Sequence, residues 1–147
     1  MNLFDFEKYK VLVDYGHNPE AARALARLLP RLSQGRKIAL CHGTGNRTDE
    51  QIIEFGKALA SVYDYIVLAD FDPRNRPIGE TSELVHEGLI KGGFKEGNIE
   101  IVSDSDKAVD HLFSKAETGD LLVIQPDELE PIMSQILERY RREVILI

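Results

Sequence analysis

The chain contains no tryptophan and one cysteine, Cys41. A single cysteine cannot form an intramolecular disulfide, so the core must hold the fold, as in cytoplasmic proteins. Apolar runs are only a few residues long. No transmembrane helix and no signal-peptide pattern is visible. Positive charge is scarce, with 18 Lys and Arg against 25 Asp and Glu, a net charge of −7. That balance disfavours nonspecific nucleic-acid binding. Low-complexity tracts and short-period repeats are absent, which excludes solenoid architectures.

What is present fits one globular domain. The 147 residues are 43% apolar and 29% charged, ordinary values for a soluble chain able to bury a core. Strand-like runs occur at Lys10–Asp14, Lys37–Cys41, Tyr65–Ala69, Ile99–Val102, Leu121–Ile124 and Val144–Ile147. They are nearly continuous in apolar character, as for strands covered on both faces. Segments of helical spacing separate them. The first carries Leu25, Leu28, Leu29 and Leu32, and Pro30 is expected to kink or shorten it. Asn18 before Pro19 reads as one helix start, Thr48 with Gln51 as a second, and Gly92-Gly93 as a stop. Repeated strand-helix alternation predicts an α/β, Rossmann-like three-layer domain with a mostly parallel sheet of about six strands. Residues 1–9 read as an exposed N-terminal connector and residues 10–147 as the domain.

In such a sheet the loops after the strands share one edge, where ligands bind. Polar clusters stand there at Asp14–Asn18, His42–Arg47, Asp70–Arg76, Asp104–Asp106 and Asp127–Glu128. Asp104, Ser105, Asp127 and Glu128 read as caps and turn formers. Gly43-Thr44-Gly45-Asn46-Arg47 joins a strand to a capped helix. It suits an anion or a tight turn equally. It lacks the Gly-Lys-Ser/Thr of a phosphate cradle. Asp70 to Pro77 holds Asp70, Asp72, Arg74 and Arg76, braced by Pro73 and Pro77. Two readings stay open: a rigid surface turn with internal ion pairs, or a clamp for a charged small molecule. His17 suits a ligand contact or a turn brace. Cys41 reads as core, and His86 and His111 as structural or surface residues.

Taken in order, these loops resemble the C-terminal domain of the Mur ligase superfamily. Asp14-Tyr15-Gly16-His17-Asn18-Pro19 matches its first motif. Gly43 to Glu50 matches its glycine-rich segment, with Asn46 where aspartate is usual. Asp72-Pro73-Arg74 stands at the Asn-Pro-Arg position of peptidoglycan ligases. The likeness is greatest to cyanophycin synthetases, through Asn2-Leu3-Phe4, Gly35-Arg36-Lys37 and Arg76 to Leu84. Gln125-Pro126-Asp127-Glu128 points the same way, where peptidoglycan ligases carry Gly-Lys-Gly-His-Glu.

The resemblance implies an ATP-dependent amide ligase. A carboxylate is phosphorylated by ATP, and an amine displaces phosphate. It implies that Asp14, His17 and Asn18 bind ATP, and that Arg47, Asp70, Asp72 and Arg74 meet the incoming amino acid, with arginine favoured. ATP and magnesium would be held mainly by a central ATPase domain absent from these residues. No residue of this chain is expected to catalyse alone or to ligate a metal, and the isolated domain is expected to be inactive. The remaining readings are a folylpolyglutamate or peptidoglycan ligase domain, or a stand-alone nucleotide or amino-acid module without catalysis.

Overall fold

A computed structural model describes residues 1–145. In chain order the elements are β1 (Asn2–Asp5), β2 (Lys10–Val13), α1 (Pro19–Leu32), β3 (Lys37–Cys41), α2 (Asp49–Leu59), β4 (Tyr65–Leu68), α3 (Glu80–Lys91), β5 (Ile99–Ile101), α4 (Ser105–Ser114), β6 (Leu121–Ile124) and α5 (Leu129–Tyr140). The six strands lie in the order β1-β2-β6-β3-β4-β5. β1 runs antiparallel to β2 and every other pair is parallel. The expected Rossmann-like, mostly parallel sheet is present.

Alternation along each strand divides the core into two layers. Leu12, Ala39, Cys41, Ile66, Leu68, Leu121 and Val123 face Leu25, Ile52, Phe55 and Val85 of α1, α2 and α3. Val11, Val13, Ile38, Leu40, Val67, Leu122 and Ile124 face Val109, Leu112, Ile132 and Ile136 of α4 and α5. The strands lack polar alternation because both faces are covered. α2 and α3 pack backbone to backbone. A Cβ on Gly88 would sit 2.1 Å from the Ile53 carbonyl oxygen, so only glycine fits there.

Helix starts follow the sequence signals. Asn18 accepts from the Ala21 N–H at 2.8 Å with Pro19 in the first turn. Thr48 and Gln51 form a reciprocal capping box. Asp104 accepts from the Lys107 N–H at 3.0 Å, and Gly92 caps α3.

Three expectations need correction. Asn2–Asp5 is not loose but is the antiparallel edge strand β1, in register from Asn2 opposite Val13 to Asp5 opposite Lys10. Buried Phe6 anchors it, its ring 5.3 Å from both Tyr9 and Tyr140. Aromatic burial outweighs the weak strand pattern. Pro30 does not end α1, which continues to Leu32. Its missing N–H removes one helical bond, the one to the Ala26 carbonyl, and the last turn still closes. At the other end, Arg141–Ile145 continue α5 as a π-helical turn instead of starting a strand. Residues 146–147 of that expected strand lie outside the described residues.

Candidate functional site

β2, β6 and β3 are neighbours, so their carboxyl ends emerge together. Pairing extends one residue further on each side. The Asp14 N–H donates to the Ile124 carbonyl at 3.0 Å, and the Gln125 N–H to the Leu40 carbonyl at 2.9 Å. This fixes the roots of three loops within one strand spacing of each other.

The loop after β2 is held from two sides. Gln125 is fully buried, and its Nε2 donates to the Gly16 carbonyl at 2.6 Å. Its Oε1 accepts from the Cys41 thiol at 3.0 Å and the Tyr63 hydroxyl at 3.3 Å. Nε2 of His17 meets Nε2 of His42 at 2.9 Å, and the rings cross edge to face. His42 also lies edge to face against Phe71, with centroids 5.0 Å apart. Burial lowers the pKa of both imidazoles, that of His42 to about 3 with neighbouring His17 adding to the effect. Both rings are therefore neutral near pH 7, and one ring N–H donates to the other ring. Burial pushes the Cys41 thiol well above its ordinary pKa, so Cys41 is the core residue the sequence indicated.

The glycine-rich loop packs on the loop after β4. The Gly45 N–H donates to the Asp72 carbonyl at 2.9 Å, and a Cβ at Gly45 would lie 2.3 Å from the Pro73 carbonyl oxygen. Arg76 fastens this contact. Its guanidinium donates to the carbonyls of Gly45 at 3.1 Å and Arg47 at 2.7 Å, and pairs with Asp49 and Glu80, each at 2.7 Å. Arg47 is half-buried, and among the described residues its buried Nε has no partner. It borders a cavity of ≈ 240 Å³ with His17, Asn18 and Pro19.

The acids and bases of the Asp70–Arg76 loop do different work. Asp70 accepts from the Gly79 N–H at 2.6 Å and from the hydroxyls of Thr81 at 3.2 Å and Ser82 at 3.1 Å. Its carboxylate is committed to the start of α3. Asp72 pairs with Arg74 at 2.8 Å. Arg74 adopts a left-handed backbone, φ 56°, and remains exposed. Asp127 stands near this pair. Burial, and then the charge of Asp72, raise its carboxyl pKa. Asp127 also lines a second cavity of ≈ 230 Å³ with Phe71, Asp106 and Glu128.

Among the expected site residues, His17, Asn18 and Arg47 share one cavity, and Asp14 stands at the root of the loop that carries His17 and Asn18. Asp72 and Arg74 form a separate pair, and Asp70 turns to α3. Arg47 thus groups with His17 and Asn18. The sequence reading missed Gln125 and the His17–His42 contact, which depend on β6 entering the sheet between β2 and β3. It grouped Arg76 with the loop charges without seeing its anchoring role. Glu80 four residues after Arg76 is the one local sign of that role. Asp127, read as a turn former, faces a cavity. Among the described residues no three His, Cys, Asp or Glu side chains gather to hold a metal ion.

The architecture is that of a Rossmann-like α/β domain whose polar loops meet at the carboxyl edge of its sheet. Over residues 1–127 the chain matches the family described as Mur ligase, glutamate ligase domain. It is 34% identical over 130 residues to the cyanophycin synthetase of Nostoc sp. strain PCC 7120, covering 88% of this chain and 14% of that protein. Its fold superposes on UDP-N-acetylmuramoyl-L-alanyl-D-glutamate–2,6-diaminopimelate ligase with TM-score 0.70 and 21% identity, covering 85% of this chain and 25% of that one. E. coli FolC in complex with DHPP and ADP superposes with TM-score 0.66 and 24% identity, covering 90% and 29%. At those identities the two superpositions speak for the fold. The chain belongs to the Mur ligase C-terminal domain family. It spans about one seventh of the Nostoc relative's length.

Proposed function

We propose that this chain is the C-terminal domain of an ATP-dependent acid–amino acid ligase of the cyanophycin synthetase kind, and that it covers the nucleotide and presents the incoming amino acid. The observation that carries the reading is the cavity lined by His17, Asn18, Arg47, Glu50 and Glu54, beside which half-buried Arg47 keeps an enclosed Nε without a partner among the described residues. A buried unpaired donor is costly and rare. The rest of the guanidinium suits an anionic or carbonyl-bearing ligand. ATP bound there supplies the phosphoryl group that makes a carboxylate reactive towards an amine. The phosphate cradle and magnesium ligands are assigned to a central domain outside these residues.

Within the chain, Asp14 is assigned to the ribose hydroxyls, as an acceptor at a strand end. Neutral His17 and Asn18 are assigned to the face of the nucleotide. Arg47 grips an anionic group from the same side. The amino acid is assigned to the region of Asp72 and Arg74, with Arg74 on its α-carboxylate. Arginine is favoured as that amino acid. Asp106, Asp127 and Glu128 around the second cavity offer carboxylates to a guanidinium. Burial first, and then the charge of Asp72, raise the Asp127 carboxyl pKa, and a cation beside it favours its charged form. Asp70 is assigned to bracing the loop from α3.

The test is titration of the chain with ATP and magnesium, followed by NMR, for the parent and for Arg47→Ala. The variant should bind about tenfold more weakly, or 1.4 kcal/mol, at nearly parental melting temperature. Equal affinities for parent and variant would remove the nucleotide assignment from this cavity.

A further inference from the structure

Two buried side chains outside the assigned nucleotide contacts hold the loop that makes those contacts. Gln125 grips Gly16 through its carbonyl at 2.6 Å, and His42 meets His17 through ring nitrogens at 2.9 Å. Both side chains are fully buried, and they come from the ends of β6 and β3. The ends of the loop are held by the Asp14 N–H, which donates to the Ile124 carbonyl at 3.0 Å, and by Asn18, whose Oδ1 accepts from the Ala21 N–H at 2.8 Å, so Tyr15 to His17 lie between two anchors. Within it, the Gly16 N–H reaches the Asp14 carboxylate at 3.4 Å, and Tyr15 and Asn18 are exposed.

We infer that Gln125 and His42 are positioning residues, a two-point latch that sets the Asp14–Asn18 loop in its binding geometry before any ligand arrives. The inference rests on the reading of this loop as the nucleotide site. The amide of Gln125 has one oxygen and one nitrogen to satisfy. The oxygen is fixed by Cys41 and Tyr63 in the core. The nitrogen is thereby aimed at Gly16 and nowhere else. The core thus dictates where the carbonyl of Gly16 sits. The next residue, His17, is then within reach of His42. The buried ring of His42 cannot rotate without losing its contact to Phe71. A loop fixed at two adjacent residues loses little entropy on binding, which raises affinity without a new ligand contact.

The prediction is specific because Gln125 has two ends. Tyr63→Phe removes one bond at the core end and leaves the Gly16 bond. Gln125→Met keeps the length and removes both ends. Gln125→Asn, one methylene shorter, cannot span both ends and serves if the methionine variant does not fold. The readout is NMR of the whole chain uniformly labelled with 15N. The parent and Tyr63→Phe should show direct nitrogen–nitrogen coupling across the His17–His42 bond and sharp signals for residues 15–18. Gln125→Met or Gln125→Asn should lose that coupling and broaden those signals. Affinity for ATP with magnesium should fall about tenfold relative to Tyr63→Phe. Intact coupling and sharp loop signals in the Gln125 variants would overturn the latch. A freed loop with unchanged ATP affinity would instead leave the latch standing and overturn the nucleotide reading of the loop.

Discussion

Arg76 and Asp49 meet at 2.7 Å, and through this pair the loop after β4 is tied to the first turn of α2. The same guanidinium holds the carbonyls of Gly45 and Arg47. One arginine therefore fixes how the glycine-rich loop and the Asp70–Arg76 loop sit against each other. The cavity beside Arg47 inherits its shape from that contact.

Arg76→Ala should lower stability by about 1–2 kcal/mol, the loss of several charge-assisted hydrogen bonds discounted for solvent screening. Arg76→Lys should recover little, because an ammonium cannot span the carbonyls and both carboxylates with a planar fork. Chemical denaturation of the three proteins measures this. Equal midpoints for parent and alanine variant would show that the two loops hold together without it.

The histidine pair makes stability depend on pH. Burial holds His17 and His42 below the ordinary imidazole pKa, His42 at about 3. The unfolded chain therefore binds more protons than the folded one between about pH 6.5 and that lower value. The contribution is full above about pH 6.5 and is lost as pH falls through the window. Each histidine can add a slope of up to about 1.4 kcal/mol per pH unit. Denaturation midpoints from pH 7 to pH 4 should fall for the parent, and fall less steeply for His42→Leu. Parallel curves would mean that His42 is protonated as readily in the fold as out of it.

Asp14→Ala should weaken ATP binding with little change in melting temperature. Among the described residues the carboxylate accepts one long bond, from the Gly16 N–H at 3.4 Å. Loss of the fold in this variant would assign Asp14 to the turn instead.

Arg74→Ala should weaken arginine binding while leaving ATP affinity nearly intact. A charged contact at an exposed side chain such as Arg74 contributes up to about 1 kcal/mol, or about fivefold. Asp72→Asn should penalise arginine more than a neutral amino acid. Unchanged arginine affinity in both variants would return this loop to the role of a rigid surface turn.

Much of this was legible in the sequence because the signals were local. Asn18-Pro19 and the Thr48–Gln51 spacing encode helix starts in a few residues. Continuous apolar strands such as Leu121–Ile124 announce coverage on both faces. The edge strand Asn2–Asp5 was not legible, because its alternation is short and its anchor, Phe6, acts through distant Tyr140. The site divides in the same way. Asp14, His17, Asn18 and Arg47 could be named from motifs. That Asp70 serves α3 while Asp127 faces a cavity depends on contacts formed only after the layers assemble. Gln125 is the clearest case, since its partners Gly16, Tyr63 and Cys41 are far from it in the chain.

The central claim is that one edge of this sheet carries two adjoining subsites, one for the nucleotide and one for a basic amino acid. Backbone and arginine side-chain NMR signals of the chain, followed during separate titrations with ATP plus magnesium and with arginine, test it most directly. The account predicts two distinct footprints. ATP should shift His17, Asn18 and the Arg47 side chain, and arginine should shift Asp72, Asp127 and Glu128. Shifts confined to other surfaces, or a single footprint shared by both ligands, would contradict it.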